Sequence, residues 1–253
     1  MRFPKDAEAA EVWHRESQLA RRSSLRLAER ISDWADGGRA AAPKIDPPDG
    51  ARVRLPKPGR IGAKRLGFLD ESIRRRKSTR ELSGPPLTVS EAGLLLWATA
   101  GRVDATSRRR SFPTAGGLES TTVYWSSAEG TLPAGTWRFE PDAHELAYAS
   151  ALAPRDLAPS LFVPGDATDW PTLVLFTARL DPLLSKYGDR GYRFALLEIG
   201  HAAQNLLLAA AGLGLGAVPL GGYLDAPLLD AVAPAADEVV LYAVGLGRLR
   251  AAR

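Results

Sequence analysis

The sequence predicts an α+β fold in which helices pack against one β-sheet. Helical periodicity dominates the first hundred residues, and short apolar β-rich runs dominate the middle of the chain. A long apolar helix and a last strand follow towards the C-terminus. Helices and strands that are grouped in this way favour the α+β class.

The individual elements follow from periodicity and from capping or turn residues. Helices are predicted over 7–36, from about Leu69 into the basic run 74–80, over 88–100 with Thr88 or Ser90 as N-cap, and from about Phe194 to Ala211. Strands are predicted over 121–126, 135–140 and 145–150, in the apolar run that follows Pro171, and over 238–244.

The chain of 253 residues suits one large domain with an appendage. We expect residues 1–66 to form an N-terminal helical arm and a Pro-rich strap, and residues 67–253 to form the main domain. The arm is interpreted either as a packing arm that crosses a dimer interface or as a docking surface for a partner.

Composition excludes several kinds of site. The chain has no cysteine, which excludes disulfides, thiolate metal sites and a cysteine nucleophile. Its three histidines lack metal-ligand spacing, so no metal site is expected. A net charge of +4 is too small to indicate nucleic-acid binding by itself. The N-terminus has no apolar signal segment, and we expect a cytoplasmic protein.

The helix over 194–211 is apolar on most faces, which predicts burial in a core or at a subunit interface. Four polar residues interrupt it: Glu198, His201, Gln204 and Asn205. Buried polar groups need partners. We expect these residues to form structural hydrogen bonds across the helix or a dimer, and we do not expect His201 to be catalytic.

Two motifs before the first strands suggest ligand binding. In RRRKSTR (74–80), Arg76 and Arg80 fall on one side of a helix or turn, where their guanidinium groups can bind phosphate, with Ser78 between them. A solvated basic face explains the same residues equally well. In PTAGG (113–117), small residues allow a backbone to approach a flat ligand, although an ordinary turn is the simpler interpretation.

Two further motifs follow later in the chain. Lys186-Tyr187 is an adjacent pair that becomes chemically interesting only in a pocket. The glycines at 214, 216, 221 and 222 lack the spacing of a dinucleotide-binding loop, and GLGLG is interpreted as a helix end and turn. No nucleophile elbow, P-loop or HExxH motif is present in the sequence.

Taken together and in this order, RRRKSTR, PTAGG, KYGDRGYRFALLEIGHAAQNLLLAAAGLGLG and VGLGR resemble the nitroreductase-like flavoenzymes. The branch that they resemble most is the SagB-type dehydrogenases, which oxidise thiazolines and oxazolines to thiazoles and oxazoles. The resemblance covers roughly residues 68–250. It implies an FMN-binding α+β fold with a mostly antiparallel sheet, in an intertwined homodimer with two flavin sites at its interface.

The resemblance also implies roles for individual residues. Those expected to bind FMN are Arg76, Lys77, Ser78, Arg80, Pro113, Thr114, Ala115, Gly116, Gln204, Pro219, Leu220, Gly221, Gly222 and Arg248. The segment 113–116 is expected to reach the flavin of the other subunit. Lys186 and Tyr187 match the acid/base pair proposed for the azoline oxidases. Glu119, Ser120 and Thr122 depart from the family's usual residues, which affects the substrate more than the cofactor.

The implied reaction removes a hydride and a proton from adjacent carbons of an azoline ring in a peptide or a peptide-derived natural product. Flavin N5 accepts the hydride, Lys186 or Tyr187 accepts the proton, and oxygen reoxidises the flavin. Lys186 is the first choice of base if burial keeps its amine neutral. Three alternatives stay open: an NAD(P)H-dependent nitro or quinone reductase, a non-catalytic scaffold of a peptide-modifying complex, and, as the weakest, a nucleic-acid binder.

Overall fold

The computed structural model describes residues 7–18, 67–104, 109–163, 167–232 and 238–249, together with positions 20, 25, 29, 32 and 106. Seven helices and seven strands in this part of the chain form the predicted α+β fold, and the strands pair in antiparallel fashion. The predicted strap at 40–60 and most of the predicted helix beyond residue 18 lie outside the described residues.

One sheet contains all seven described strands. They are β1 (Leu82–Ser83), β2 (Thr121–Ser127), β3 (Gly135–Glu140), β4 (Glu145–Ser150), β5 (Thr172–Arg179), β6 (Leu215–Leu220) and β7 (Glu238–Leu249). The strand order is β1-β7-β5-β2-β3-β4, and β6 pairs with the other edge of β7. The five predicted strands are confirmed, and β7 continues past the predicted end at Val244.

The helices are α1 (Glu8–Ser17), α2 (Phe68–Arg75), α3 (Val89–Ala100), α4 (Pro154–Leu157), α5 (Asp181–Tyr187), α6 (Arg190–Gly212) and α7 (Asp225–Val232). Of the two N-cap candidates for α3, the structure uses Thr88. Its hydroxyl accepts a hydrogen bond from Glu91 N (3.2 Å), and the Glu91 carboxylate accepts one from Thr88 N (2.8 Å), which completes a capping box.

The helix that the sequence predicts from about Leu69 into the basic run is confirmed, and it ends at Arg75. From Arg76 the chain is extended: Ser78 forms a parallel bridge with Ala217 of β6, and Thr79 N donates to Ala217 O at 2.9 Å. The backbone of this segment is therefore hydrogen-bonded to β6, which is a strand where the sequence predicts a helix end and a turn. Strand β6 begins inside GLGLG, because pairing with β7 outweighs the low β-propensity of glycine.

Helices cover both faces of the sheet. Along β2, Val123 and Trp125 belong to the core that contains α3 and α6, whereas Tyr124 belongs to the core that contains α7. Since successive side chains of a strand point to opposite faces, burial on both sides explains why every residue of β2 is buried.

Helix α6 is the central helix of the larger core. Among the described helices it alone is long and apolar enough to cross a membrane, judged by length and composition. The helix nevertheless contacts α2, α3, α5 and β6, and core helices of soluble proteins pass the same test. We therefore interpret α6 as the core helix that the sequence predicts.

Candidate functional site

The PTAGG motif forms a tight turn before β2. Ala115–Gly117 is a short 3₁₀ turn in which Gly116 and Gly117 have φ angles of 59° and 68°. Two residues later, Glu119 has a φ angle of 50°, which is unusual for a residue with a side chain. The turn therefore needs its glycines, and its backbone conformation requires support from its surroundings.

This turn lies directly against the Lys-Tyr pair at the end of α5. A Cβ atom built on Gly116 would lie 2.4 Å from Tyr187 Oη and 2.6 Å from Lys186 Nζ. Both distances are too short for a real contact, so only glycine fits at this position without displacing the pair. Two motifs that are 70 residues apart in the sequence thus form one site.

The Lys-Tyr pair is ordered by aromatic contacts. The Lys186 Nζ atom lies 5.3 Å from the centroid of the Tyr187 ring, and this ring packs edge-on against Phe194 of α6 at 5.0 Å. Tyr187 is half-buried, whereas Lys186 is exposed in the single chain. Lys186 would become buried only if a bound molecule or a second subunit covered it.

Glu198 of α6 forms hydrogen bonds with the turn and with the start of β2. Its carboxylate is buried and accepts hydrogen bonds from Ala115 N (2.6 Å), Ser120 Oγ (2.8 Å) and Thr121 Oγ1 (3.0 Å). These contacts confirm the structural hydrogen bonds that the sequence predicts for Glu198, and they add a link to PTAGG that the sequence does not predict. Nothing in the local pattern names these partners, because they are 77 to 83 positions away.

The other polar residues of α6 have different surroundings. Asn205 Nδ2 donates to Ser111 O at 2.9 Å, which confirms a structural hydrogen bond. His201 and Gln204 are exposed on the helix surface. The single chain therefore places Gln204 outside the turn and outside the Lys-Tyr pair.

The end of α2 divides the basic run into two groups. Arg74 and Arg75 form ion pairs with Asp70 and Glu71, one helical turn earlier. In contrast, the cations that follow the helix form no ion pair within the described residues: Arg76, Lys77 and Arg80. The sequence predicts one basic cluster, and the structure separates a paired part from an unpaired part.

Two of these cations, Arg76 and Lys77, border a cleft of about 410 Å³ between α6 and β6, which Arg75 of α2 also lines. Arg76, Lys77 and Thr79 line one side, and the opposite side is apolar, with Leu207 and Ala217. Ser78 and Arg80 lie beside the cleft and are exposed. The bridge between Ser78 and Ala217 fixes this segment to β6, whose end carries Pro219 and Leu220.

Gly221 and Gly222 follow β6 at a second, smaller cleft. A Cβ atom on Gly221 would meet nothing within 4 Å, so the backbone is open on that side. Gly221 lines a cleft of about 180 Å³ together with Trp13 and His14 of α1. The N-terminal helix therefore forms one wall of the space beside Gly221.

Helix α1 is attached to the start of α6 by polar contacts. Ala10 N donates to Asp189 Oδ1 at 2.8 Å, and the imidazole of His14 lies between Tyr192 Oη (2.8 Å) and Gln18 Nε2 (2.9 Å). Burial lowers the pKa of His14, and the nearby Arg15 cation lowers it further. Residues 7–18 therefore pack against α6 of the same chain, and a role of the arm at a dimer interface stays a prediction.

Arg248 is engaged elsewhere. Its guanidinium forms a two-pronged ion pair with the Glu91 carboxylate, with N–O distances of 3.0 and 2.9 Å. The hydrogen bonds from Arg248 are the main reason that the pKa of Glu91 is lowered. A phosphate contact from Arg248 stays a prediction, and it requires this guanidinium to share or leave Glu91.

The predicted residues thus form two sets at different levels of α6. Arg76 and Lys77 lie beside Leu207 and Ala211, near the C-terminal end of α6. The turn that carries Gly116 is bonded through Ala115 N to Glu198, nearer the start of α6. At 1.5 Å per residue, Glu198 and Leu207 are separated by roughly 14 Å along the helix. The cleft at Arg76 and Lys77 is not lined by the PTAGG turn or by the Lys-Tyr pair.

Comparison with known proteins agrees with this architecture. A protein of Methanocaldococcus jannaschii described as a nitroreductase, MJ1384, is 29% identical over 166 residues, which cover 62% of this chain and 80% of that protein. The crystal structure of a protein of Ralstonia eutropha JMP134, also described as a nitroreductase, matches with 27% identity and a TM-score of 0.65. It covers 85% of this chain and 97% of its own.

The Escherichia coli microcin synthetase McbBCD complex, solved with truncated pro-MccB17 bound, contains a chain with the same fold. It matches with a TM-score of 0.63 over 91% of this chain and 95% of its own, at 18% identity. The model of the Nitroreductase family matches residues 73–248. This match spans most of the chain and every element from the end of α2 to β7, and the chain therefore belongs to the Nitroreductase family.

Proposed function

We propose that this chain is an FMN-dependent dehydrogenase of the SagB-type branch, which oxidises a thiazoline or oxazoline ring in a peptide or peptide-derived molecule to the aromatic azole. One observation carries the proposal: the PTAGG turn lies against Lys186 Nζ and Tyr187 Oη. The amine and the phenol beside this glycine turn can orient a flat ring, and the amine in its neutral form can accept a proton from that ring.

The residues present fit FMN. Arg76, Lys77 and Arg80 offer charge that no described carboxylate neutralises, which suits a phosphate, and the adjoining cleft is partly apolar. The open backbone at Gly221 leaves room for a flat ring. When bound, FMN supplies the acceptor for the hydride, and oxygen serves as the final electron acceptor.

The chain's own residues supply the proton chemistry. Loss of hydride from one ring carbon leaves a proton to be removed from its neighbour, and Lys186 is our first choice to accept that proton at Nζ. Tyr187 Oη orients the ring or shares the proton. The exposure of Lys186 leaves it accessible to a substrate, and a bound ring or a second subunit would exclude water from it.

A homodimer accounts for the separation of the two sets along α6. In a second copy, the PTAGG turn and Lys-Tyr pair of one subunit would complete the site formed by Arg76 and Gly221 of the other. The exposed leucines of α6, Leu196 and Leu197, support a partner on this helix. Light scattering tests this arrangement: the proposal requires twice the monomer mass of 27.1 kDa.

The neighbouring synthetase complex suggests that recognition of a peptide can involve partner proteins, although a likeness at 18% identity is one of fold alone. The relatives described as nitroreductases favour a second candidate function, which is the reduction of nitro groups or quinones with NAD(P)H.

Anaerobic reduction of the bound flavin distinguishes these functions. We expect the purified protein to be yellow and its flavin absorbance to bleach when an azoline peptide is added, whereas NADPH should act slowly or not at all. Fast bleaching by NADPH with none by azolines would support the nitro or quinone reductase. A colourless protein that gains no flavin when FMN is added would instead support the scaffold.

A further inference from the structure

We infer that Glu198 is the positioning residue of this site: it clamps both ends of the segment that carries Gly116 and so fixes that segment against Lys186 and Tyr187. The inference rests on the proposed function for its catalytic consequence, but its structural part stands on the contacts of Glu198. These contacts lie on the buried side of the turn, since Glu198 itself is buried.

The clamp acts at two places in the chain. One carboxylate oxygen accepts from Ala115 N, at the start of the 3₁₀ turn. The other accepts from Ser120 Oγ and from Thr121 Oγ1, where β2 begins. The five residues between Ala115 and Thr121 are therefore held at both ends by one side chain.

This segment has a backbone that needs such support. Gly116 and Gly117 adopt positive φ angles readily, but Glu119 also has a positive φ angle, which a residue with a side chain keeps only where the surroundings over-determine it. Glu119 is also anchored, since its carboxylate accepts from Arg102 at 2.8 Å. Glu198 therefore binds the two ends of the segment, and Arg102 binds the side chain of Glu119 within it.

The buried position of Glu198 favours a role through hydrogen bonds. Its side chain is 3% exposed, and its two oxygens receive three hydrogen bonds from residues of the turn and of β2. A carboxylate can accept up to about four hydrogen bonds. Most of the hydrogen bonds that Glu198 can accept therefore come from this segment. Any effect of Glu198 on a substrate is exerted through the position of Gly116.

Two conservative variants distinguish the effect of the length of the Glu198 side chain from the effect of its charge. Glu198→Gln keeps the length of the side chain and an oxygen for Ala115 N, and its amide can donate to the two hydroxyl oxygens, but its charge is lost. Glu198→Asp keeps the charge but is one methylene shorter, so it cannot reach Ala115 N and both hydroxyls together. Asn205→Ala is the matched control, because it removes a hydrogen bond from the same helix to a different loop.

The first measurement is the acylation rate of Lys186 by an amine-reactive reagent in the purified full-length protein, relative to that of Lys77. We expect Glu198→Asp to raise the relative rate of Lys186 several-fold, because the Gly116 backbone no longer lies against the amine. Glu198→Gln and Asn205→Ala should match the wild type. Unchanged labelling in Glu198→Asp would overturn the inference.

The second measurement is the steady-state oxidation of an azoline peptide. Glu198→Asp should lower kcat about 10- to 100-fold and change KM far less, while Glu198→Gln should keep most of the activity. Loss in Glu198→Gln with retention in Glu198→Asp would show that charge rather than position matters, and it would overturn the inference. If the wild type oxidises no azoline, the proposed function fails, and the labelling result still decides the role of Glu198.

Discussion

Gly116 is the residue at which two distant motifs meet, and it offers the sharpest single substitution. Gly116 and Gly117 both have positive φ angles, but only a side chain on Gly116 would collide with Lys186 and Tyr187. A Cβ on Gly117 would meet nothing within 4 Å. Substitutions at these two glycines therefore distinguish the effect of backbone strain from the effect of a collision with Lys186 and Tyr187.

We predict that Gly116→Ala and Gly117→Ala cost a similar 1–2 kcal/mol, approximately, in the free energy of unfolding, because an L-residue is strained at these φ angles. Only Gly116→Ala should also lower azoline oxidation, by about a hundredfold, through displacement of the Lys-Tyr pair. Urea unfolding and kcat measurements check both values. Equal activity of the two variants would contradict the contact at Gly116.

At the residue scale, the sequence predicts which side chains matter better than where they lie. Lys186, Tyr187 and the PTAGG turn are named by their motifs, and the structure brings them together. The partners of Glu198 depend on how α6 crosses the start of β2, which no local pattern encodes. The ion pair between Arg248 and Glu91 joins positions 157 residues apart and is equally invisible in the sequence.

At the scale of elements, the end of α2 at Arg75 separates the basic segment 76–80 from the helix. A helix places Arg76 and Arg80 on one side through its period, whereas the structure has an extended segment bridged to β6. The paired cations on α2 contribute to the helix surface. The unpaired cations after it are those available to an anion.

We predict that Arg76→Gln and Arg80→Gln each weaken FMN binding about tenfold or more, since a hydrogen bond to a charged group contributes about 1.5–3 kcal/mol. Arg74→Gln is the matched control, because Arg74 pairs with Asp70 and does not line the cleft beside Arg76. Fluorescence titration of the apoprotein with FMN measures all three. An equal loss in the control would indicate a general charge effect instead of a phosphate site.

The attachment of α1 to α6 predicts a pH dependence of stability. His14 is buried between Tyr192 and Gln18, and its pKa in the folded protein is below the ordinary value of 6.5. On unfolding, the imidazole takes up a proton more readily. The contribution of neutral His14 to the free energy of unfolding is therefore fully present above pH 6.5. It decreases as the pH falls towards the folded-state pKa of His14, and below that pKa it is lost.

The difference in Tm between the wild type and His14→Gln, followed from about pH 8 to pH 5, measures this contribution. We expect the wild type to lose stability more steeply than the variant in the acidic half of this range. Parallel curves would show that His14 does not contribute to the pH dependence.

Elements were predictable where periodicity is local and strong. The strands β2, β3 and β4, the capped helix α3 and the core of α6 agree with their predictions within a few residues. Strand β6 was missed because its glycines and Pro219 are stabilised by pairing with β7. The short helices α5 and α7 were missed because seven or eight residues with a proline near the start give little periodicity.

At the scale of the whole molecule, the fold class and the family follow from the order of the motifs, whereas the arrangement of the site does not. The set around Arg76 and the set around Gly116 lie at different levels of α6. A second copy that brings the two sets together is our proposal for how one flavin would contact both. The sequence names the members of each set, but their separation depends on the packing of α2, α5 and β6 around α6.

The central claim is that Lys186 and Tyr187, held by the PTAGG turn, form the acid/base pair of an azoline dehydrogenase. The most direct measurement is kcat for azoline oxidation by Lys186→Ala and Tyr187→Phe, with the FMN content of each protein determined in parallel. We predict that both variants retain FMN and that loss of the proton acceptor lowers kcat by about 10²- to 10⁴-fold. Wild-type rates in both variants would contradict the claim.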